Sequence, residues 1–153
     1  MALNPPLQRD ANWRTVDTNE AFLVKKTVTF AGGAGTGAVG TVALYTVTGD
    51  VLVNIFATCS SDLISAGSGT VEAGLVGNTA GLIAQVAATA IDNNEVWTDA
   101  TPTTIEALAT SPRIIAGGQD IMVTVATGDV TGGVLNFYCL YRPLSTGASI
   151  VAA

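Results

Sequence analysis

The sequence predicts an all-β protein, an antiparallel β-sandwich preceded by an extended N-terminal arm. Three observations carry this. Short runs rich in Val, Thr and Ile alternate in polarity with period two. Gly, Asn, Asp and Ser punctuate them at the spacing of a sandwich or barrel, about eight to ten strands in all. No stretch has the 3.6-residue apolar periodicity of an amphipathic helix.

Residues 1–22 form the arm. Pro5 and Pro6 forbid an early helix and push Asn4 toward an extended backbone. The segment carries Arg9, Asp10, Arg14, Asp17 and Glu20, with Trp13 and Phe22 as its apolar anchors. Such an arm is either frayed or pinned on a neighbouring molecule. Trp13 accordingly either anchors on another subunit or packs locally beneath the arm.

The sandwich is expected over residues 23–145. Val24–Phe30 alternates, with Val28 and Phe30 on one face. Thr41–Thr48 reads as a strand, as does Val51–Cys59 with Val51, Val53, Ile55, Ala57 and Cys59 on one face. Val71, Ala73 and Leu75 share a face, as do Ile121, Val123 and Val125, and Leu135, Phe137, Cys139 and Tyr141. Glu95–Trp97 and Thr103–Leu108 read as short strands, with Trp97 in the core. Leu82–Ala90 is ambiguous, because its alanines also suit a helix. Residues 146–153 read as a small, weakly apolar tail. The opposite strand faces carry Tyr45, Leu52, Phe56, Met122, Tyr138 and Leu140, an unusual load for surfaces that meet only solvent. Tyr45, Phe56 and Tyr138, with Trp13 and Phe22 from the arm, are the candidate inter-subunit contacts.

The composition fits that choice. Apolar residues make up 48% of the 153 positions, but charged residues only 12%, about half the ordinary share. Either neighbouring subunits cover much of the surface, where charge is depleted, or Thr, Ser and Asn replace the missing charges. The net charge of −6 and six scattered basic residues argue against a nucleic-acid partner. Two low-charge stretches, Thr27–Gly49 and Ala73–Ile91, contain too many Gly, Thr, Asn and Gln for a membrane helix. No secretory leader pattern precedes the arm, so synthesis in a cytoplasm is expected.

Catalytic chemistry finds little to work with. The chain has no histidine, which removes the commonest general base and the His-based triads. Its two cysteines, Cys59 and Cys139, cannot build a four-ligand zinc site. They read as buried free thiols, with a disulfide left open. Gly35-Thr36-Gly37-Ala38-Val39-Gly40 matches the dinucleotide-binding glycine pattern, but a strand rather than a helix follows it. It reads as a connection between strands. Asp92, Asn93, Asn94, Glu95 and Asp99 raise a calcium loop, without the spacing of an EF-hand, and otherwise read as a polar turn. No enzyme activity, metal, cofactor or small-molecule substrate is expected.

Three stretches resemble a known group: KKTVTFAGGAGTGAVGTVALYTVTGDVLV (25–53), GNTAGLIAQVAATAIDNNEVWTDATP (77–102) and GGQDIMVTVATGDVTGGVLNFYCLYRPLS (117–145). Together they are similar to small virion proteins of tailed bacteriophages, including the capsid decoration, or cement, proteins. The resemblance implies a jelly-roll or related sandwich that assembles as a homotrimer. It also implies docking on the major capsid protein at the outer capsid surface. A head-fibre base, a tail subunit and a carbohydrate- or cell-binding β-sandwich stand as alternatives.

Overall fold

The computed structural model describes residues 21–109 and 111–153, together with the backbone pairing of β1 (Gln8–Arg9) with β2 (Thr15–Val16). Trp13 and most of the expected arm lie outside the described residues.

Ten further strands follow. They are β3 (Phe22–Thr29), β4 (Gly40–Thr48), β5 (Val51–Ser65), β6 (Thr70–Leu75), β7 (Asn78–Ala87), β8 (Val96–Trp97), β9 (Arg113–Ile115), β10 (Ile121–Ala126), β11 (Val130–Pro143) and β12 (Ser149–Ala152). One sheet has the order β3-β11-β5-β8, with β9 also paired to β5. The other has the order β12-β4-β10-β6-β7. Every pairing is antiparallel. The chain changes sheet at each step from β3 to β6, makes the β6–β7 hairpin, then alternates again through β8, β10 and β11. With β9 and β12 set aside, the four remaining strands of each five-stranded sheet wind as a jelly roll. β12 is added at one edge.

The inner faces hold the core. Val51, Val53, Ile55, Ala57 and Cys59 of β5 are buried, and so are Leu135, Phe137 and Cys139 of β11 and Ile121, Val123 and Val125 of β10. Period-two alternation placed all of these correctly. Trp97 is fully buried, edge-on to Phe137 at 6.1 Å between ring centroids. No helix of the described residues is long and apolar enough to cross a membrane.

Three expectations need correction, and one reading left open is settled. Tyr45 does not lie on an outward face: it is fully buried, like its neighbour Leu44. The cause is a bulge in β4. Ile121 pairs with Tyr45 but Met122 pairs with Ala43, so one step on β10 spans two on β4 and the alternation changes phase. Leu82–Ala90 is strand through Ala87 and then a 3-10 turn, Ala88–Ala90. Thr103–Leu108 is not a strand; Thr103 alone bridges to Val96. There the Thr103 hydroxyl donates to the Ile105 carbonyl at 2.7 Å and to Glu106 at 3.0 Å, local bonds that compete with a ladder. Finally, the tail is an edge strand. Ile150 is buried opposite Val47 of β4, and the alternation Ile-Val supplies the pairing face.

The glycine pattern serves backbone packing. A Cβ on Gly37 would lie 2.1 Å from the Val130 carbonyl oxygen. The Val130 N–H donates to the Gly37 carbonyl at 2.7 Å, which ties this loop to the start of β11.

Candidate functional site: the outer face of the β3-β11-β5 sheet

The register of β3, β11 and β5 lines up the outward side chains in rows. Tyr138 lies between Lys25 and Phe56, Leu140 between Leu23 and Asn54, and Leu52 between Arg142 and Ile114. Tyr138 and Phe56 stack, with ring centroids 5.1 Å apart and 17° between planes. The Lys25 ammonium sits over the other side of this pair, 5.5 Å from the Tyr138 centroid, within reach of a cation–π interaction. Phe56, Tyr138, Leu140 and Leu52 are half-buried, while Leu23 is 59% and Ile114 68% exposed. A polar row closes one side. Thr27 donates to Asn136 at 2.8 Å, and Asn136 donates to Ser60 at 3.2 Å. The result is a contiguous apolar and aromatic patch with a polar rim, the form of a protein-contact surface.

Two of the five sequence candidates, Phe56 and Tyr138, meet here. Phe22 is not in this patch. It lies on the inward side of β3, half-buried, with its ring 5.3 Å from that of Tyr141. Tyr45 is in the core, where its hydroxyl donates to the Val24 carbonyl at 3.2 Å. Burial is the main reason its phenol is pushed above the ordinary range. Leu23, Lys25 and Ile114 were missed as contact candidates. For Lys25 the signal was present, because alternation sends one lysine of the Lys25-Lys26 pair outward and the other inward. Lys26 turns across the sandwich edge and donates to the Ala153 carbonyl. For Ile114 no signal was available, since β9 is only three residues long.

Three carboxylates near the polar loop accept backbone hydrogen bonds. Glu95 accepts from the Asp92 N–H at 2.9 Å, Asp99 accepts from the Thr101 N–H at 2.7 Å, and Asp62 accepts from the Asn93 N–H at 2.6 Å. Glu95 and Asp99 thus serve turns of their own loop, and Asp62 of β5 ties that loop to the sheet. Among the described residues no three His, Cys, Asp or Glu side chains converge as a metal site.

The two thiols lie on adjacent strands with their side chains in the core, but Cys139 pairs with Ile55 and Cys59 with Leu135. Four residues of strand separate them, about 13 Å, too far for a disulfide. Both are free. Burial pushes the Cys139 thiol up to about 12 and is the main cause of the upward shift at Cys59.

Two clefts of about 330 and 280 Å³ flank Arg113, along β7. Among the described residues neither is lined by an aromatic ring, the feature on which a sugar stacks.

Comparison of the chain with family models, curated proteins and solved structures returns no match.

Proposed function

We propose that this protein is a structural virion component of a tailed bacteriophage, a capsid decoration protein that docks on the head shell and stabilises it. The observation that carries the reading is the stacked Phe56–Tyr138 pair at the centre of an exposed apolar sheet face. A low-charge jelly roll offering such a face suits a rigid clamp. The three stretches that resemble phage decoration proteins point to the same use. The homotrimer and the major capsid protein as partner belong to this proposal.

The mechanism is differential binding. A protein that binds the mature shell and not its disrupted form stabilises the mature shell by mass action. Many copies on one particle add their effects. Aromatic side chains at the centre of a water-excluding patch supply most of the energy in such contacts.

The test is co-sedimentation of the purified protein with phage heads lacking it. Wild type is expected to sediment with the heads. Phe56→Glu, which puts a charge at the patch centre, is expected to stay in the supernatant while keeping its native circular dichroism. Equal sedimentation of both would remove this face from the function.

A further inference from the structure

β7 (Asn78–Ala87) is an unprotected sheet edge. Among the described residues it pairs with β6 on one side and with nothing on the other. Natural sheets blunt such edges with charge, proline, shortness or cover. The other edges here follow that rule: β3 carries Lys25 and Lys26, while β8, β9 and β12 are two, three and four residues long. β7 has ten residues, with no charge and no proline. Two register slips against β6 bend it without covering it. Ala80, Ala84 and Ala87 are exposed along it and are too small to screen the backbone.

Charge along this edge is bipolar. Arg113 lines both clefts beside β7, with Ala80, Gly81 and Leu82. Asp99 lines only the larger one, which reaches on to Ala84. The pairing of β5 gives the same order: Arg113 is opposite Val53 and Trp97 opposite Ala57, about 13 Å further along. The other acids of this edge lie on the Trp97 side. The Glu95 carbonyl accepts from the Cys59 N–H, with Asp92 in the same turn, and Asp62 lies beyond Cys59 on β5. Glu106 is bonded to Thr103, which bridges to Val96. Glu72 of β6 lies between Val71, opposite Val86, and Ala73, opposite Ile83. Toward the Arg113 end, Asp50 and Asp120 stand at the starts of β5 and β10, inside the sheets, and each accepts a backbone N–H.

An edge that is positive at one end and negative at the other fits its own reverse. A two-fold axis near Leu82 lays a second β7 antiparallel on the first and brings each Arg113 toward the partner's Asp99. From this arrangement we infer that two copies of this chain pair through β7, antiparallel, into one continuous sheet. Main-chain hydrogen bonds hold the added strand, and the charges select its direction. Such a contact is isologous and closes on itself. It leaves the outer face of the β3-β11-β5 sheet free and does not rest on the decoration reading. Combined with the homotrimer proposed above, it makes an assembly of six.

The test is solution mass by light scattering for wild type, Ala84→Lys and Arg113→Glu, with circular dichroism to check each fold. Hydrogen exchange of residues 78–87 is followed in wild type at high and low protein concentration, a comparison that needs no variant. Wild type is expected at twice the chain mass, or six times with the trimer, and exchange in β7 is expected to speed up on dilution. Ala84→Lys puts like charges near the axis and is expected to halve the mass. Arg113→Glu is expected to weaken the pairing by about tenfold. A wild-type mass of one or three chains would overturn the inference. So would an even multiple that neither variant changes, or exchange of residues 78–87 that does not depend on concentration. Shell binding is measured separately on heads, so its failure and the failure of β7 pairing are distinguishable.

Discussion

Tyr138 lies face to face with Phe56, 5.1 Å between ring centroids, on a sheet surface that the described residues leave half-open. The pairing follows from register. Tyr138 of β11 is directly opposite Phe56 of β5, and both strands send the alternate residues, Phe137 and Ala57, into the core. Such a cross-strand aromatic pair contributes about 0.5–1.5 kcal/mol beyond its area. Replacing both residues by Ala is therefore expected to lower folding stability modestly, by about 1–2 kcal/mol. Shell binding is expected to fall by more than about 2 kcal/mol, the scale of a hot spot. Urea titration and head co-sedimentation on the same variant separate the two effects. A large loss of stability with binding retained would make the pair structural.

Asp120 repairs the bulge in β4. Beyond the phase change at Tyr45, the Val47 N–H donates to Asp120 Oδ1 at 2.9 Å. Asp120→Ala leaves that part-buried donor unpaired and is expected to lower stability by about 1–3 kcal/mol. Asp120→Asn keeps an acceptor oxygen and is expected to cost less. Urea midpoints at constant slope check both.

That bulge also marks the limit of what sequence periodicity can show. Alternation located the inward residues of β5, β10 and β11, because each of those runs keeps one phase across the core. It misplaced Tyr45, because a bulge shifts phase without any residue type that announces it. Thr103–Leu108 is held to a strand only by the bridge from Thr103 to Val96, and Ile105 is left 86% exposed. β9 and β12 are only three and four residues long, and they form because edges of β5 and β4 are available to them. The candidate face was half legible. Phe56 and Tyr138 could be read as outward, but their juxtaposition, and the approach of Lys25, Leu23 and Ile114, depend on a register that only the folded sheet fixes.

The buried thiols and the Tyr45 phenol make a prediction for alkaline pH. Cys139 is shifted from an ordinary 9.0 to about 12 by burial, so between those values the folded chain holds a proton that the unfolded chain has released. Its contribution to stability is fully present below about pH 9 and is lost as pH rises toward 12. Cys59 and Tyr45 are shifted upward too and act with the same sign. Thermal midpoints are expected to hold up to about pH 9 and to fall steadily above it. Replacing Cys139 with Ala should flatten part of that fall. In the native state at pH 8, a thiol reagent is expected to label neither cysteine, and both should react after unfolding in urea. A disulfide recovered from the native protein would contradict the register of β5 and β11.

The most direct measurement is a cryo-electron microscopy reconstruction of heads carrying the protein, at a resolution that shows side chains. The outer face of the β3-β11-β5 sheet is expected to lie against the shell. Phe56 and Tyr138 should then be buried in the contact. A reconstruction in which that face points to solvent, or in which the heads carry none of this chain, would contradict the proposed function.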